Sequence, residues 1–294
     1  PGAGGAAMTG ATTATAAAAG DAVPARADPM RPLEREWSRF TPRQRLARWL
    51  VWLGVVAAVA WAVRSIDIIP EFLADAPAQM ADLLVRMWPP DFAHYYPEVH
   101  TALVETLHIA TLGTILAFFL AVPVALLAAR NVCRIGPLNW LAQLILVASR
   151  SVNSLVWALI FVAVFGPGAA AGVFAIAFRS IGFVGKLLAE ALEEASPGPV
   201  EALRAAGAGW GATMLKAVWP QVRPAFWGIA LFRWDINVRE SAVLGLVGAG
   251  GIGVVLNDAI DFFQWDRVAT VLLAILAVVL VAEVVVNRIR GRLI

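Results

Sequence analysis

The residues of this chain that could do chemistry are charges set inside long apolar stretches. Arg150 and Arg179 each lie about halfway along one, and Lys186 follows Arg179 after seven residues, on nearly the same helical face. A further stretch carries Arg233, Asp235, Asn237, Arg239 and Glu240. Asp235 and Arg239 are four residues apart, as are Lys186 and Glu190, a spacing that lets opposite charges meet on one helix face. Arg233, Asn237 and Glu240 fall on a neighbouring stripe. An unpaired charge in hydrocarbon costs at least ~2.5–3.5 kcal/mol on insertion scales, so these groups must face each other, water or a protein interior. One reading is structural pairing, with Lys186, Glu190, Asp235 and Glu240 as ion-pair partners. The other is a polar route for an anion, lined by Arg150, Asn153, Ser154, Arg179, Arg233, Asn237 and Arg239. Arginine suits an oxyanion because its planar fork matches such oxygens. A transport route must also let its cargo leave, so tight neutralisation would work against it.

Other chemistries find little support. Ser149, Ser151 and Ser154 have no histidine nearby in sequence, so no nucleophile–base–acid set is apparent and hydrogen bonding between helices is the simpler role. The single cysteine, Cys133, allows no internal disulfide, and the three histidines, His94, His100 and His108, lack metal-site spacing. No metal site and no bound cofactor are therefore expected. The Gly245–Gly253 run, GLVGAGGIG, is followed by no Gly-Lys-Ser/Thr and sits in no strand–helix unit, so it reads neither as a P-loop nor as a dinucleotide fingerprint. Its glycines predict a bend or close packing at a helix end.

The elements that must position these residues follow from composition. Of 294 residues, 60% are apolar and only 15% charged, with a mean hydropathy of +0.74, against ~45–50% and ~25% in soluble domains. Six stretches approach the ~20 residues that a membrane-crossing helix needs: 46–63, 101–129, 138–165, 169–192, 225–247 and 268–287. Strands of an outer-membrane barrel would be far shorter and alternate strictly. The fold class expected is an all-α polytopic membrane protein of about six transmembrane helices. Pro123 predicts a kink in the second span, and Gly166-Pro167-Gly168 a turn before the fourth. Residues 1–30, rich in Ala, Thr and Gly without periodicity, read as a disordered tail. Residues 31–48, basic and amphipathic, read as a cytosolic lead-in, and 49–294 as the transmembrane domain. The 64–100 loop reads as one or two short amphipathic helices.

Charge is distributed by side. Six arginines precede span one, Arg130 and Arg134 separate spans two and three, Arg204, Lys216 and Arg223 separate spans four and five, and Arg288, Arg290 and Arg292 follow span six. The alternate loops, 64–100 and 248–267, are acidic. Basic loops stay in the cytosol, which places both termini inside. The net charge of +2 gives no reason to expect nucleic acid.

Residues 193–224, EEASPGPVEALRAAGAGWGATMLKAVWPQVRP, read as two short helices joined at Gly207 and Gly209. Ser196-Pro197 can open the first, and Pro220 favours a break or kink after the second. Here the chain resembles a known family. Glu201-Ala202, then Gly207, then Pro220 resembles the cytosolic EAA loop of binding-protein-dependent ABC importer permeases. LVWALIFVAVFGPGAAAGVFAIAF (155–178), RSIGFVGKLLAEALEE (179–194), GPVEALRAAGA (198–208) and FRWDINVRESAVLGLVGAGGIG (232–253) are similar to the phosphonate-transporter permease subfamily. The resemblance covers roughly 100–294, and Asn153-Ser154 departs from the Pro-Glu pair common in that family.

The resemblance implies a MetI-like permease fold in a bacterial inner membrane. It also implies a homodimer with a second copy, two cytosolic ABC ATPase subunits holding ATP and Mg, and an extracytoplasmic phosphonate-binding protein. Glu201, Ala202, Gly207 and Pro220 would couple the chain to the ATPase, and the chain itself would not be an enzyme. The cargo expected is phosphonate or a related phosphorus oxyanion. The alternative is another small solute such as phosphate, phosphite or an amino acid; an intramembrane enzyme or a structural scaffold is a more distant reading. Cysteines introduced singly over 201–209 should react with a membrane-impermeant thiol reagent in inside-out vesicles and not in intact cells; the reverse labelling pattern would invert the orientation.

Overall fold

The computed structural model describes residues 42–65 and 70–293. The expected tail, 1–30, and most of the lead-in lie outside them. The chain divides into two units at Ile69. In the first, a single helix, α1 (Pro42–Ser65), is uncharged from Trp49 to Val63. Arg43, Arg45 and Arg48 belong to its first turns. These three basic residues, expected in a separate lead-in, thus belong to the apolar helix itself, whose 24 residues span ~36 Å.

All the regular elements among the described residues of the second unit are helices. It contains α2 (Pro70–Arg86), α3 (His100–Ala128), α4 (Gly136–Ser151), α5 (Ser154–Phe165), α6 (Ala169–Glu193), α7 (Pro197–Ala205), α8 (Trp210–Thr213), α9 (Trp219–Leu244), α10 (Ile252–Asp261) and α11 (Trp265–Leu293). The amphipathic α2 fills the long loop after α1, as its sequence predicts. Beyond it, a short turn of helix at Phe92–His94 is tied to α11: the Asp91 amide donates to the Asp266 carbonyl at 3.3 Å, and Arg267 lies 3.9 Å from the Asp91 carboxylate.

The core is built on α3 and α6, which pack along each other through small residues. Ala102, Ala110, Gly113, Ala117, Ala121 and Ala125 are buried on α3 and Ala171, Gly172, Ala175, Gly182, Gly185 and Ala189 on α6. Where lipid offers no hydrophobic gain, close backbone approach and dispersion hold helices together, and small side chains permit both. Leu146 of α4 rests on the gap left by Gly185. An aromatic cluster of Trp157, Phe161, Phe165, Phe174 and Phe178 seals α5 to α6, with ring centroids of Phe161–Phe178 at 5.1 Å and Phe165–Phe174 at 5.0 Å. α9 crosses both central helices, and α11 packs on α9.

Two expectations need correction. The third apolar stretch, 138–165, is not one helix: α4 and α5 meet at 91°. Asn153 accounts for the break. It takes extended backbone and its side chain accepts from the Leu155 amide at 3.1 Å, the local bond by which asparagine caps a helix start and competes with continuation. At 16 and 12 residues, about 24 and 18 Å, neither piece alone crosses ~30 Å of hydrocarbon. The second correction is at Pro220. The helix there runs unbroken from Trp210 to Val247, because a widened π-turn at Met214–Val218 absorbs the missing donor and the ring's bulk. Four described helices are long and apolar enough to cross a bilayer, or six if each bent pair counts as one span. α3 likewise continues through Pro123.

The glycine run after α9 turns the chain by 42° into α10. A side chain on Gly253 would lie 2.7 Å from the Gly245 α-carbon and 2.9 Å from the Leu246 amide nitrogen, so the two glycines face each other because nothing larger fits. Gly253→Ala should therefore lower the thermal midpoint of the purified chain by several degrees. Gly228→Ala, where an added methyl meets nothing within 4 Å, should hold or raise it, since alanine is the better helix former; equal effects would refute this packing.

Candidate functional site: a carboxylate between two arginines

α6 and α9 bring the intramembrane charges together. Glu240 is bonded to two arginines at once. Its Oε1 lies 3.4 Å from Arg179 Nε, and its Oε2 accepts from Arg233 Nη2 at 3.2 Å. Arg233 is buried, 4% exposed, and donates through Nε to Ser180 Oγ at 2.9 Å, while its guanidinium sits 5.5 Å from the Phe183 ring centroid, within reach of a cation–π attraction. Arg179 donates through Nη1 to the Val152 carbonyl at 3.1 Å. That carbonyl lies in the α4–α5 break, where a helix no longer uses it. The broken span therefore supplies an acceptor that a continuous helix would have consumed.

Asn237 extends the network inward. It is fully buried and donates to Thr114 Oγ1 of α3 at 2.7 Å, and its side-chain oxygen lies 3.4 Å from Ser180 Oγ. Thr114 and Ser180 also bond back to the carbonyls of Ala110 and Ile176 at 2.6 and 2.5 Å. Three helices thus share one connected polar seam, and the low local dielectric strengthens each of its bonds. Spacing alone had placed Arg233 and Glu240 on one stripe. It offered no sign of Thr114 and Ser180, lone hydroxyls in apolar helices 123 and 57 positions from Asn237.

The remaining candidates are placed elsewhere. Asp235 and Arg239 pair on α9; the second Asp235 oxygen is buried without a hydrogen bond, and Arg239 is half exposed. Lys186 and Glu190 pair at 3.1 Å but are 49% and 46% exposed, so as part of this chain the pair is not buried. Arg150 is exposed in the last turn of α4 and joins no ion pair among the described residues. Asn153 caps α5, and Ser154 is buried with its hydroxyl 3.2 Å from Asn153 Oδ1. No group of three or more His, Cys, Asp or Glu among the described residues could hold a metal ion.

The second candidate region is the α7 elbow. α7 ends in a Schellman motif: the Gly207 amide donates to Arg204 O at 3.0 Å, the Ala208 amide to Leu203 O at 2.9 Å, and Gly207 has φ +80°. Glycine is needed here for its left-handed backbone, and not for close approach, because a side chain would meet nothing within 4 Å. Glu201, Ala202 and Gly207 are exposed, and Glu201 has no side-chain partner among the described residues. Pro220 is exposed at the start of α9, below the elbow. Loop 129–135 braces this end: the Arg130 amide donates to Glu193 Oε1 at 2.8 Å, and Asn139 donates to Leu127 O and Ala128 O at 3.1 and 2.6 Å.

Arg233→Met should lower the thermal midpoint well beyond the effect of Lys186→Met. The first change removes a buried guanidinium that bonds both Glu240 and Ser180, at a cost below the ~3–5 kcal/mol of leaving a buried charge wholly unpaired, because Arg179 still pairs with Glu240; the second removes a half-exposed pair worth ~0–1 kcal/mol. Equal losses would show that the seam contributes nothing special to stability.

Comparison with known proteins places the chain in a family. Residues 121–294 match the family model described as the binding-protein-dependent transport system inner membrane component. The chain is 40% identical over 240 residues to the phosphite transport system permease protein PtxC of Stutzerimonas stutzeri, covering 82% of this chain and 86% of that protein. It is 38% identical over 258 residues to the phosphate-import permease protein PhnE of Mycolicibacterium smegmatis, covering 87% of this chain and 48% of that protein, so it spans about half of that relative's length. In fold it is similar to a chain of the MetNI methionine ABC transporter in inward-facing conformations, with a TM-score of 0.58 at 23% identity over 67% of this chain and 96% of that one. It is also similar to a chain of a bacterial ABC transporter that imports alginate, with a TM-score of 0.57 at 15% identity over 85% of this chain and 98% of that one. The chain therefore belongs to the binding-protein-dependent ABC importer permeases, as an all-α polytopic membrane subunit of MetI-like architecture.

Proposed function

We propose that this chain is the permease subunit of an ATP-driven importer for a phosphorus oxyanion. The observation that carries the reading is the 38–40% identity to permeases named for phosphate and phosphite import. Phosphonate, the cargo to which the 232–253 run first pointed, is named in matches over less of this chain: 40% identity over 118 residues to the putative cryptic phosphonate transport permease PhnE2 of Escherichia coli. Phosphate and phosphite are therefore the favoured cargoes. An amino acid cargo has only fold-level likeness behind it.

Arg179, Arg233, Arg239 and Arg150 supply the cationic groups that such an anion needs on its way through the bundle, with Asn153, Ser154 and Asn237 as neutral partners. The mechanism divides labour. A second copy of the chain completes the pathway. An extracytoplasmic binding protein delivers the anion to one mouth, and two cytosolic ATPase subunits bind and hydrolyse ATP with Mg. Their closure acts on Glu201, Ala202 and Gly207 in the elbow, and the rigid helix from Trp210 to Val247 carries that movement to Arg233 and Glu240. This orientation puts the elbow and both termini in the cytosol, in agreement with the arginine bias of the loops.

Cells that depend on the complete transporter should accumulate labelled phosphate or phosphite, and unlabelled methionine in excess should not compete. The solubilised chain without its ATPase should show no ATP turnover. Competition by methionine, with no effect of unlabelled phosphate or phosphite, would replace the proposed cargo class; ATP hydrolysis by the chain alone would end the division of labour.

A further inference from the structure

The geometry points to Glu240 as an internal competitor for the transported anion: its carboxylate fills the two-guanidinium site that a phosphorus oxyanion takes over during passage. The inference rests on the cargo class proposed above. Each Glu240 oxygen goes to a different arginine, Oε1 to Arg179 and Oε2 to Arg233, which is the bridging contact an O–P–O edge can also make. Both guanidinium groups keep an anchor that does not involve Glu240. Arg233 Nε is held by Ser180 Oγ at 2.9 Å, and Arg179 Nη1 by the Val152 carbonyl at 3.1 Å. Their remaining donors therefore stay in place if the carboxylate swings away.

Access is graded in the same sense. Side-chain exposure falls from 29% at Arg179 to 19% at Glu240 and 4% at Arg233, so Arg179 is the most accessible member of the triad and Arg233 the least. The charge balance also fits exchange. Two arginines against one glutamate leave a formal excess of one positive charge. An incoming oxyanion is attracted by that excess, and the returning carboxylate then helps to expel it. A site without such a competitor would hold its cargo too tightly for flux.

The test uses the purified full chain, with inorganic phosphate as the probe and thermal midpoint as the readout, at matched ionic strength. Phosphate should stabilise E240Q with an apparent affinity at least tenfold tighter than for the unchanged chain, because ligand binding to the folded state raises its stability. Adding R179Q to E240Q should abolish the gain. In the complete transporter, E240Q should lower both the KM and the maximal rate of phosphate uptake, since release is slowed. A folded E240Q chain with unaltered phosphate affinity, or one whose uptake falls with KM unchanged, overturns the competitor role and leaves Glu240 as a structural ion-pair partner. If E240Q does not fold, E240D serves: its shorter carboxylate reaches one guanidinium only, and an intermediate gain is expected, while no gain overturns the proposal. The two readings fail separately. A phosphate gain in E240Q alongside a transporter that imports neither phosphate nor phosphite rejects the cargo class alone, whereas normal uptake without that gain rejects the competitor alone.

Discussion

The need to satisfy charge without water governs the interior of this bundle. Arg233 is almost completely removed from solvent and, among the described residues, has one ionic partner, Glu240, which it shares with Arg179. In hydrocarbon an uncompensated guanidinium would be expelled or would draw in water. Ser180, Asn237 and Thr114 complete the arrangement, so α3, α6 and α9 are held in one register by directional bonds as well as by packing. The same economy appears in the backbone. The Val152 carbonyl, released by the α4–α5 break, is taken up by Arg179, as irregular backbone at membrane depth requires.

Packing makes that seam possible. Alanine and glycine line the α3–α6 contact and bring those two backbones close, and α9 packs on both, so Asn237 meets Thr114 of α3 and Ser180 of α6. Larger residues there would hold the helices apart and strand the polar groups. The glycine turn between α9 and α10 follows the same rule at a tighter scale, and its Gly248 carbonyl accepts from the Gly168 amide at 2.9 Å, tying the α5–α6 turn to the end of α9. The elbow differs in kind. It is exposed and has no buried residue in α7, and its shape comes from capping and backbone conformation, so it can meet a partner without disturbing the core.

Much was legible from residues alone. The apolar runs gave the helices, Ser196-Pro197 and Gly207 gave the limits of α7, and four-residue spacing gave the Asp235–Arg239 and Lys186–Glu190 pairs, because those signals are local. Two readings failed for local reasons that hydropathy does not contain. Asn153 breaks a run that stays apolar enough on average to pass for a span, and the π-turn before Pro220 lets a helix pass a residue that ordinarily ends one.

What the sequence by itself determined is the membrane class, the approximate positions of the long helices, the elbow and the set of costly charges, since each depends on composition or on neighbours within a few residues. Only the tertiary structure decided which charges belong together: Glu240 with Arg179 as well as Arg233, Asn237 with Thr114, Arg150 with none of them. Those pairings join residues up to 123 positions apart, and which helix faces meet is set by the fit of small residues across the whole bundle, which no local pattern encodes.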